Sequence, residues 1–137
     1  LVLGAVLAFL LDYLASTFKG VEDVEDKIGL SVLGMVPMVK QKKKEASAVL
    51  FLDDKQKSYA EAMRTVRTSV VLSGIDKPHK TIVLTSSVPS EGKSTSAINL
   101  AVALGQMERV LLIDADMRKP TVAKVLNLPP NTPVYPI

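Results

Sequence analysis

The sequence predicts an α/β fold in which a parallel sheet carries a ligand site at the carboxyl ends of its strands. Two short apolar runs, residues 81–86 and 110–113, are rich in Val, Ile and Leu and are typical of strands buried on both faces. The stretch 94–107 between them is apolar over most of a helical surface. A strand, a helix and a second strand in this order predict a right-handed crossover, which brings the ends of both strands together.

A loop of small and turn-forming residues joins the first predicted strand to the helix. It consists of Ser87, Val88, Pro89, Ser90, Glu91, Gly92, Lys93, Ser94 and Thr95. This approximates the phosphate-binding pattern G-x-x-x-x-G-K-[ST], with Ser87 at the position of the first glycine. Backbone N–H groups and Lys93 would face phosphate oxygens, and the Ser94 hydroxyl could ligate Mg²⁺. The alternative is a Ser/Gly-rich turn with an exposed lysine.

Two carboxylates, Asp114 and Asp116, follow the second predicted strand, 110–114. Ligands of open parallel sheets bind beyond the carboxyl ends of the strands, so both carboxylates are expected beside the loop. The alternative is a solvated turn.

Composition excludes several function classes. The chain has 137 residues, a net charge of +3 and no cysteine, so neither a disulfide framework nor thiol chemistry is available. The charge is too small, and aromatic residues too few, for a nucleic-acid-binding protein.

The amino-terminal part predicts a membrane attachment. Residues 1–11 are uninterruptedly apolar, but a span needs about 20 such residues, so we interpret 1–18 as the end of a transmembrane helix. Residues 19–39 are predicted to form a small cytoplasmic module with a helix at 21–28, ended by Gly29. Residues 40–57 then form a linker that begins with a lysine cluster. A buried soluble helix is the alternative for the apolar run.

The helix predicted at 58–72 places Met63, Val66 and Val70 on a buried stripe. Its charged ridge consists of Glu61, Arg64 and Arg67. We expect both arginines to be exposed, and the spacing fits intrahelical ion pairs and docking on a neighbouring subunit equally well.

Taken together, these residues resemble the bacterial tyrosine kinases, also described as the kinase part of Wzz-type polysaccharide co-polymerases. The loop at 86–94 resembles their Walker A motif, residues 111–118 resemble their Walker A′ motif, and residues 61–68 resemble their oligomerisation helix. Residues 10–37 resemble their exit from the second membrane helix. The resemblance covers nearly the whole chain and assigns 58–137 to a P-loop NTPase kinase domain.

The resemblance implies ATP-dependent tyrosine autophosphorylation in trans, within a ring of subunits at the inner membrane, linked to exopolysaccharide or capsule synthesis and export. Lys93 would bind the β- and γ-phosphates, and Ser94 and Asp114 would hold Mg²⁺. Asp116 would orient or deprotonate the attacking tyrosine. Residues after about 18 would lie on the cytoplasmic side.

The chain departs from the family pattern at its carboxyl end. Neither a Walker B strand nor a tyrosine cluster follows Lys119, so the expectation is a partial, inactive kinase domain with only the first half of its sheet. Two other classes remain: a Min/Par-type ATPase, and a non-enzymatic co-polymerase remnant that acts by assembly.

Overall fold

A computed structural model describes residues 1–14, 20–39 and 49–129. The chain divides into two compact units, Leu1–Val32 and Leu33–Ile137. The end of the predicted transmembrane segment (residues 15–18), the lysine cluster and the tail beyond Pro129 lie outside the described residues.

The first unit contains two helices, α1 (Val2–Leu14) and α2 (Val21–Ile28). Gly29 ends α2 as predicted: its backbone is left-handed with φ 71°, and its N–H donates to the Glu25 carbonyl at 2.8 Å. The Glu25 carboxylate accepts from the Val32 N–H at 2.8 Å. This carboxylate therefore holds the chain just after the helix.

Helix α1 is 13 residues long and leaves its large apolar side chains exposed, as at Phe9 (79% exposed). In the described parts of the chain, none of the helices combines the length and the apolar character that a bilayer crossing requires.

The second unit is built on two long helices, α3 (Lys57–Ser73) and α4 (Lys93–Gly105). Both confirm helices predicted from sequence, with ends that differ by one or two residues. Gly74 follows α3, and its N–H donates to the Val71 carbonyl at 3.2 Å. A third helix, α5 (Val122–Val125), was not predicted.

The core of this unit lies where α3 packs on α4 and on a 3₁₀ turn, Leu50–Leu52. Of the predicted stripe on α3, Met63 and Val70 are buried, and Val66 packs against the core while partly exposed. The buried core cluster consists of Leu50, Phe51, Tyr59, Ala60, Met63, Leu100, Ala103 and Leu104.

One buried polar side chain ties the 3₁₀ turn to α4. Asn99 is fully buried, and its Oδ1 accepts from the Phe51 N–H at 2.8 Å. Its Nδ2 donates to the Thr95 carbonyl, also at 2.8 Å. The last part of the predicted linker is therefore bonded to the first turn of α4.

The predicted parallel sheet is not found in the described residues. Residues 81–86 and 110–114 carry no regular secondary structure, and Val83 and Ile113 remain 85% and 70% exposed. The strands of a parallel sheet are buried on both faces, whereas these two segments leave apolar side chains exposed. An apolar run indicates a tendency to be buried, but it becomes a strand only when a neighbour completes its hydrogen bonds. The sequence pattern alone does not supply that neighbour.

Candidate nucleotide-binding site

The loop before α4 turns through two left-handed residues. Gly92 precedes the first residue of α4 with φ 85°, and Ser90 has φ 69°. A Cβ at Gly92 would meet no atom within 4 Å, so the backbone angle, not the available space, favours glycine there. Ser90 adopts the same region with a side chain, which costs of the order of 1 kcal/mol.

The amino-terminal part of this loop surrounds a carboxylate of the same chain. Glu91 Oε2 accepts from the Ser87 N–H at 2.9 Å and from the Val88 N–H at 3.3 Å. Two successive backbone N–H groups that converge on one anionic oxygen form an anion-binding concavity. The loop can therefore hold a negatively charged oxygen, as the phosphate-binding prediction requires.

Lys93, the first residue of α4, contacts Asp116. Its Nζ donates to Asp116 Oδ2 at 3.4 Å, and both side chains are about one-third exposed. The other oxygen, Oδ1, accepts from the Lys119 N–H at 3.0 Å. The hydrogen bond from Lys119, and then the bond and charge of Lys93, hold the pKa of Asp116 below its ordinary value.

Asp114 holds the chain segment that leads into α5. Its Oδ2 accepts from the N–H groups of Thr121 and Val122 at 2.8 and 2.9 Å, and its Oδ1 accepts from the Asp116 N–H at 3.1 Å. Partial burial raises the pKa of Asp114, but these hydrogen bonds to its charged form outweigh burial, and the net pKa is lowered. The carboxylate is therefore ionised at neutral pH.

Ser94 contacts a residue that the sequence patterns did not single out. Its Oγ lies 2.7 Å from Thr121 Oγ1, within hydrogen-bonding distance. Thr121 lies outside both predicted motifs and reaches Ser94 only because the irregular segment 115–121 turns back towards α4. Short-range sequence patterns carry no signal for such a contact.

The structure thus brings the main predicted site residues into one set of contacts. Lys93 meets Asp116, while Ser94 is linked through Thr121 to Asp114. Glu91 belongs to the same predicted loop, Ser87 to Thr95, and its carboxylate accepts a hydrogen bond from the Ser87 N–H.

The oxygen groups at this site suit Mg²⁺, which prefers hard oxygen ligands and keeps several waters. Ser94 offers a hydroxyl. Asp114 offers a carboxylate whose oxygens already accept three backbone hydrogen bonds, which suits a contact through water. Within residues 1–14, 20–39 and 49–129, no group of three or more His, Cys, Asp or Glu could hold a metal ion by itself.

The charged ridge on α3 has contacts within the chain. Arg64 forms an ion pair with Glu61 and lies 5.3 Å from the centre of the Phe51 ring. Arg67 Nη1 donates to the Ala103 carbonyl at 3.1 Å and to Gln106 Oε1 at 3.3 Å, at the carboxyl end of α4. The expectation that both arginines are exposed is wrong for Arg67, because this bond to α4 partly buries it.

Comparison with known proteins adds independent evidence. The chain is 45% identical over 75 residues to the tyrosine-protein kinase YwqD of Bacillus subtilis, a match that covers 54% of the chain and 32% of YwqD. It is 31% identical over 135 residues to the tyrosine-protein kinase ptk of Acinetobacter johnsonii, covering 92% of the chain and 18% of that protein. The solved chimerical protein CapA2B2 shares 37% identity with a TM-score of 0.66, over 80% of the chain and 46% of CapA2B2.

The chain belongs to the bacterial tyrosine-kinase family. The likeness to CapA2B2 also shows that it has a fold of this kinase type. A further relative, 27% identical over 161 aligned positions, is the succinoglycan biosynthesis transport protein ExoP of Rhizobium meliloti, with 96% of the chain and 20% of ExoP covered. No family model matches the chain. The chain spans less than half the length of each of these proteins.

Proposed function

We propose that this chain is the ATP-binding part of a membrane-anchored bacterial protein-tyrosine autokinase that regulates exopolysaccharide or capsule synthesis and export. The observation that carries the proposal is the contact between Lys93 and Asp116 beside a loop whose N–H groups already bind a carboxylate. Kinship with YwqD supports the kinase activity, and kinship with ExoP supports the link to polysaccharide.

Nucleotide binding exchanges internal partners for phosphate oxygens. A phosphate would take the place of the Glu91 carboxylate on the Ser87 and Val88 N–H groups, because both present anionic oxygen acceptors. The Lys93 ammonium then moves from Asp116 to the outer phosphates, where it meets more negative charge.

The same exchange prepares Asp116 for tyrosine chemistry. Without Lys93, Asp116 would lose one of the groups that hold its pKa low. A carboxylate of higher pKa accepts the proton of a tyrosine hydroxyl more readily. In this proposal Asp116 orients or deprotonates the acceptor.

Ser94 and Asp114 would hold Mg²⁺, which would neutralise part of the phosphate charge. Residues 81–86 and 110–114 pair as strands of a parallel sheet when further strands are present to cover their exposed apolar side chains. Phosphoryl transfer depends on positioning, so the way Ser94 and Asp114 hold the metal–nucleotide complex would help to set its rate.

Outside the nucleotide site, two surfaces carry the remaining roles. Helix α1, with its exposed apolar side chains, lies in lipid at the inner membrane, and the residues beyond about 18 lie on the cytoplasmic side. Glu61 and Arg64, both exposed, dock on a neighbouring subunit of a homo-oligomeric ring beside the polysaccharide export machinery.

Titration calorimetry with Mg·ADP tests the nucleotide site. The wild-type chain is expected to bind, and Lys93→Ala is expected to remove most of the affinity because it removes the side-chain cation that faces the phosphates. Lys124→Ala, an exposed lysine on α5, is the matched control and should leave affinity unchanged.

Equal affinities of the wild-type chain and Lys93→Ala would contradict the proposed site. Absence of Mg·ADP binding by a folded wild-type chain would favour the non-enzymatic assembly role. The Min/Par alternative is separated by product, since ADP would then form without phosphotyrosine.

A further inference from the structure

We propose that Thr121 is a positioning residue of the nucleotide site, which sets the two groups that would face Mg²⁺. Its hydroxyl bonds to Ser94, and its backbone N–H bonds to Asp114. This inference rests on the proposed function, because it concerns how Ser94 and Asp114 hold a metal–nucleotide complex.

If Ser94 ligates a cation, the donor and the acceptor of its hydrogen bond with Thr121 are fixed. A hydroxyl that ligates a cation uses an oxygen lone pair for it and must direct its proton elsewhere. Thr121 Oγ1, at 2.7 Å from Ser94 Oγ, is placed to accept that proton. The contact therefore fixes the Ser94 rotamer and turns its lone pairs away from Thr121. Partners of this kind typically change metal affinity by about 10- to 100-fold when removed.

The backbone contact acts on the second metal-facing group. The Thr121 and Val122 N–H groups both donate to Asp114 Oδ2, which fixes the orientation of that carboxylate. Because these donors belong to the backbone, they persist when the Thr121 side chain is replaced. Substitution of the side chain thus tests the Ser94 contact separately from the Asp114 contact.

The experiment measures ADP affinity in the presence of Mg²⁺ and in the presence of EDTA, using the 137-residue chain. Thr121→Val removes the hydroxyl and keeps the shape, so it should weaken Mg·ADP binding by about 10-fold or more and leave metal-free ADP binding nearly unchanged. Thr121→Ser retains a hydroxyl and should restore binding. Thr68→Val, which removes a hydroxyl bonded only along α3, is the matched control.

A Ser94→Ala background separates a positioning role from a structural one. There, Thr121→Val should add no further loss of Mg·ADP affinity, because the group on which Thr121 acts is already absent. An equal loss in EDTA, a further loss in the Ser94→Ala background, or an unchanged Mg·ADP affinity of Thr121→Val would each overturn the inference.

The same measurements distinguish failure of this inference from failure of the proposed function. If the wild-type chain binds ADP and Lys93→Ala does not, the nucleotide site stands whatever Thr121→Val does. If the wild-type chain has no affinity for ADP with or without Mg²⁺, the proposed function and the role of Thr121 both fall.

Discussion

Glu91 is the residue that most changes how the loop is understood. From sequence it is one of the variable positions of a phosphate-binding pattern. In the structure, however, its carboxylate accepts hydrogen bonds from the Ser87 and Val88 N–H groups at the start of the loop. The loop is thereby held in a shape that fits an anion before any nucleotide is present. If the loop binds a nucleotide, the same carboxylate would compete with the phosphate for these N–H groups.

Removal of this charge should strengthen nucleotide binding. In Glu91→Gln the side chain can still accept a hydrogen bond, but hydrogen bonds to an uncharged acceptor are weaker, so phosphate displaces it more easily. We expect Mg·ADP affinity to rise by about 3- to 10-fold, equivalent to roughly 1 kcal/mol. Calorimetry measures it, with Glu108→Gln, an exposed glutamate after α4, as control. Unchanged or weaker binding would mean that Glu91 supports the loop without competing.

At the scale of elements, α3 and α4 are joined by Arg67, whose spacing on α3 fitted an intrahelical ion pair and a subunit contact equally well. Arg67 donates to the Ala103 carbonyl in the last turn of α4, where a positive charge is favoured by the helix dipole. Arg64, three residues earlier, is exposed and pairs with Glu61 on its own helix. The two arginines of one ridge therefore have different roles.

This difference can be measured with two single substitutions. Arg67→Ala should lower the free energy of unfolding by about 1–2 kcal/mol, because a part-buried charged hydrogen bond to α4 is lost. Arg64→Ala should lower it by less than about 1 kcal/mol, since its ion pair is exposed. Urea denaturation measures both.

Light scattering then tests the proposed ring contact. Arg64→Ala should weaken self-association while the chain remains folded. If Arg64→Ala leaves self-association unchanged, the ring contact is contradicted, and Glu61 and Arg64 serve only as an ion pair within α3.

At the scale of the whole molecule, the exposed apolar surface of α1 contrasts with the packed core of the second unit. Leu7 and Leu11 are 58% and 61% exposed, while Met63 and Ile98 are 1% and 0% exposed. Contiguous exposed apolar surface of this kind marks a membrane or protein contact.

We therefore expect the chain to bind lipid vesicles through α1. Leu7→Lys combined with Leu11→Lys should release it into the aqueous fraction, because each charge costs roughly 2.5–3.5 kcal/mol at the centre of a bilayer. Vesicle flotation measures the bound fraction. Lys substitutions at Val71 and Leu72, exposed apolar residues of α3, serve as the matched control. Equal flotation of both double variants would contradict a lipid role for α1.

Sequence patterns correctly predicted the helices and turns that depend on residues close together along the chain. The helices α2, α3 and α4, the stop at Gly29 and the turn at Gly92 each follow from residues within a few positions. The patterns did not predict contacts that depend on chain reversal, such as Thr121 on Ser94 or Arg67 on α4. They also predicted a sheet from apolar runs whose pairing partners a local pattern cannot supply.

Asn99 gives the fold a mechanical consequence. The segment at Phe51 and the first turn of α4 at Thr95 are both hydrogen-bonded to this one buried amide. A pulling force applied to the chain before Phe51 would be transmitted to the Asn99 side chain. Rupture there would leave buried polar groups unpaired, at a cost of about 1–3 kcal/mol for each group. Tension on the segment before Phe51 would therefore reach Thr95, the last residue of the predicted phosphate-binding loop, through Asn99.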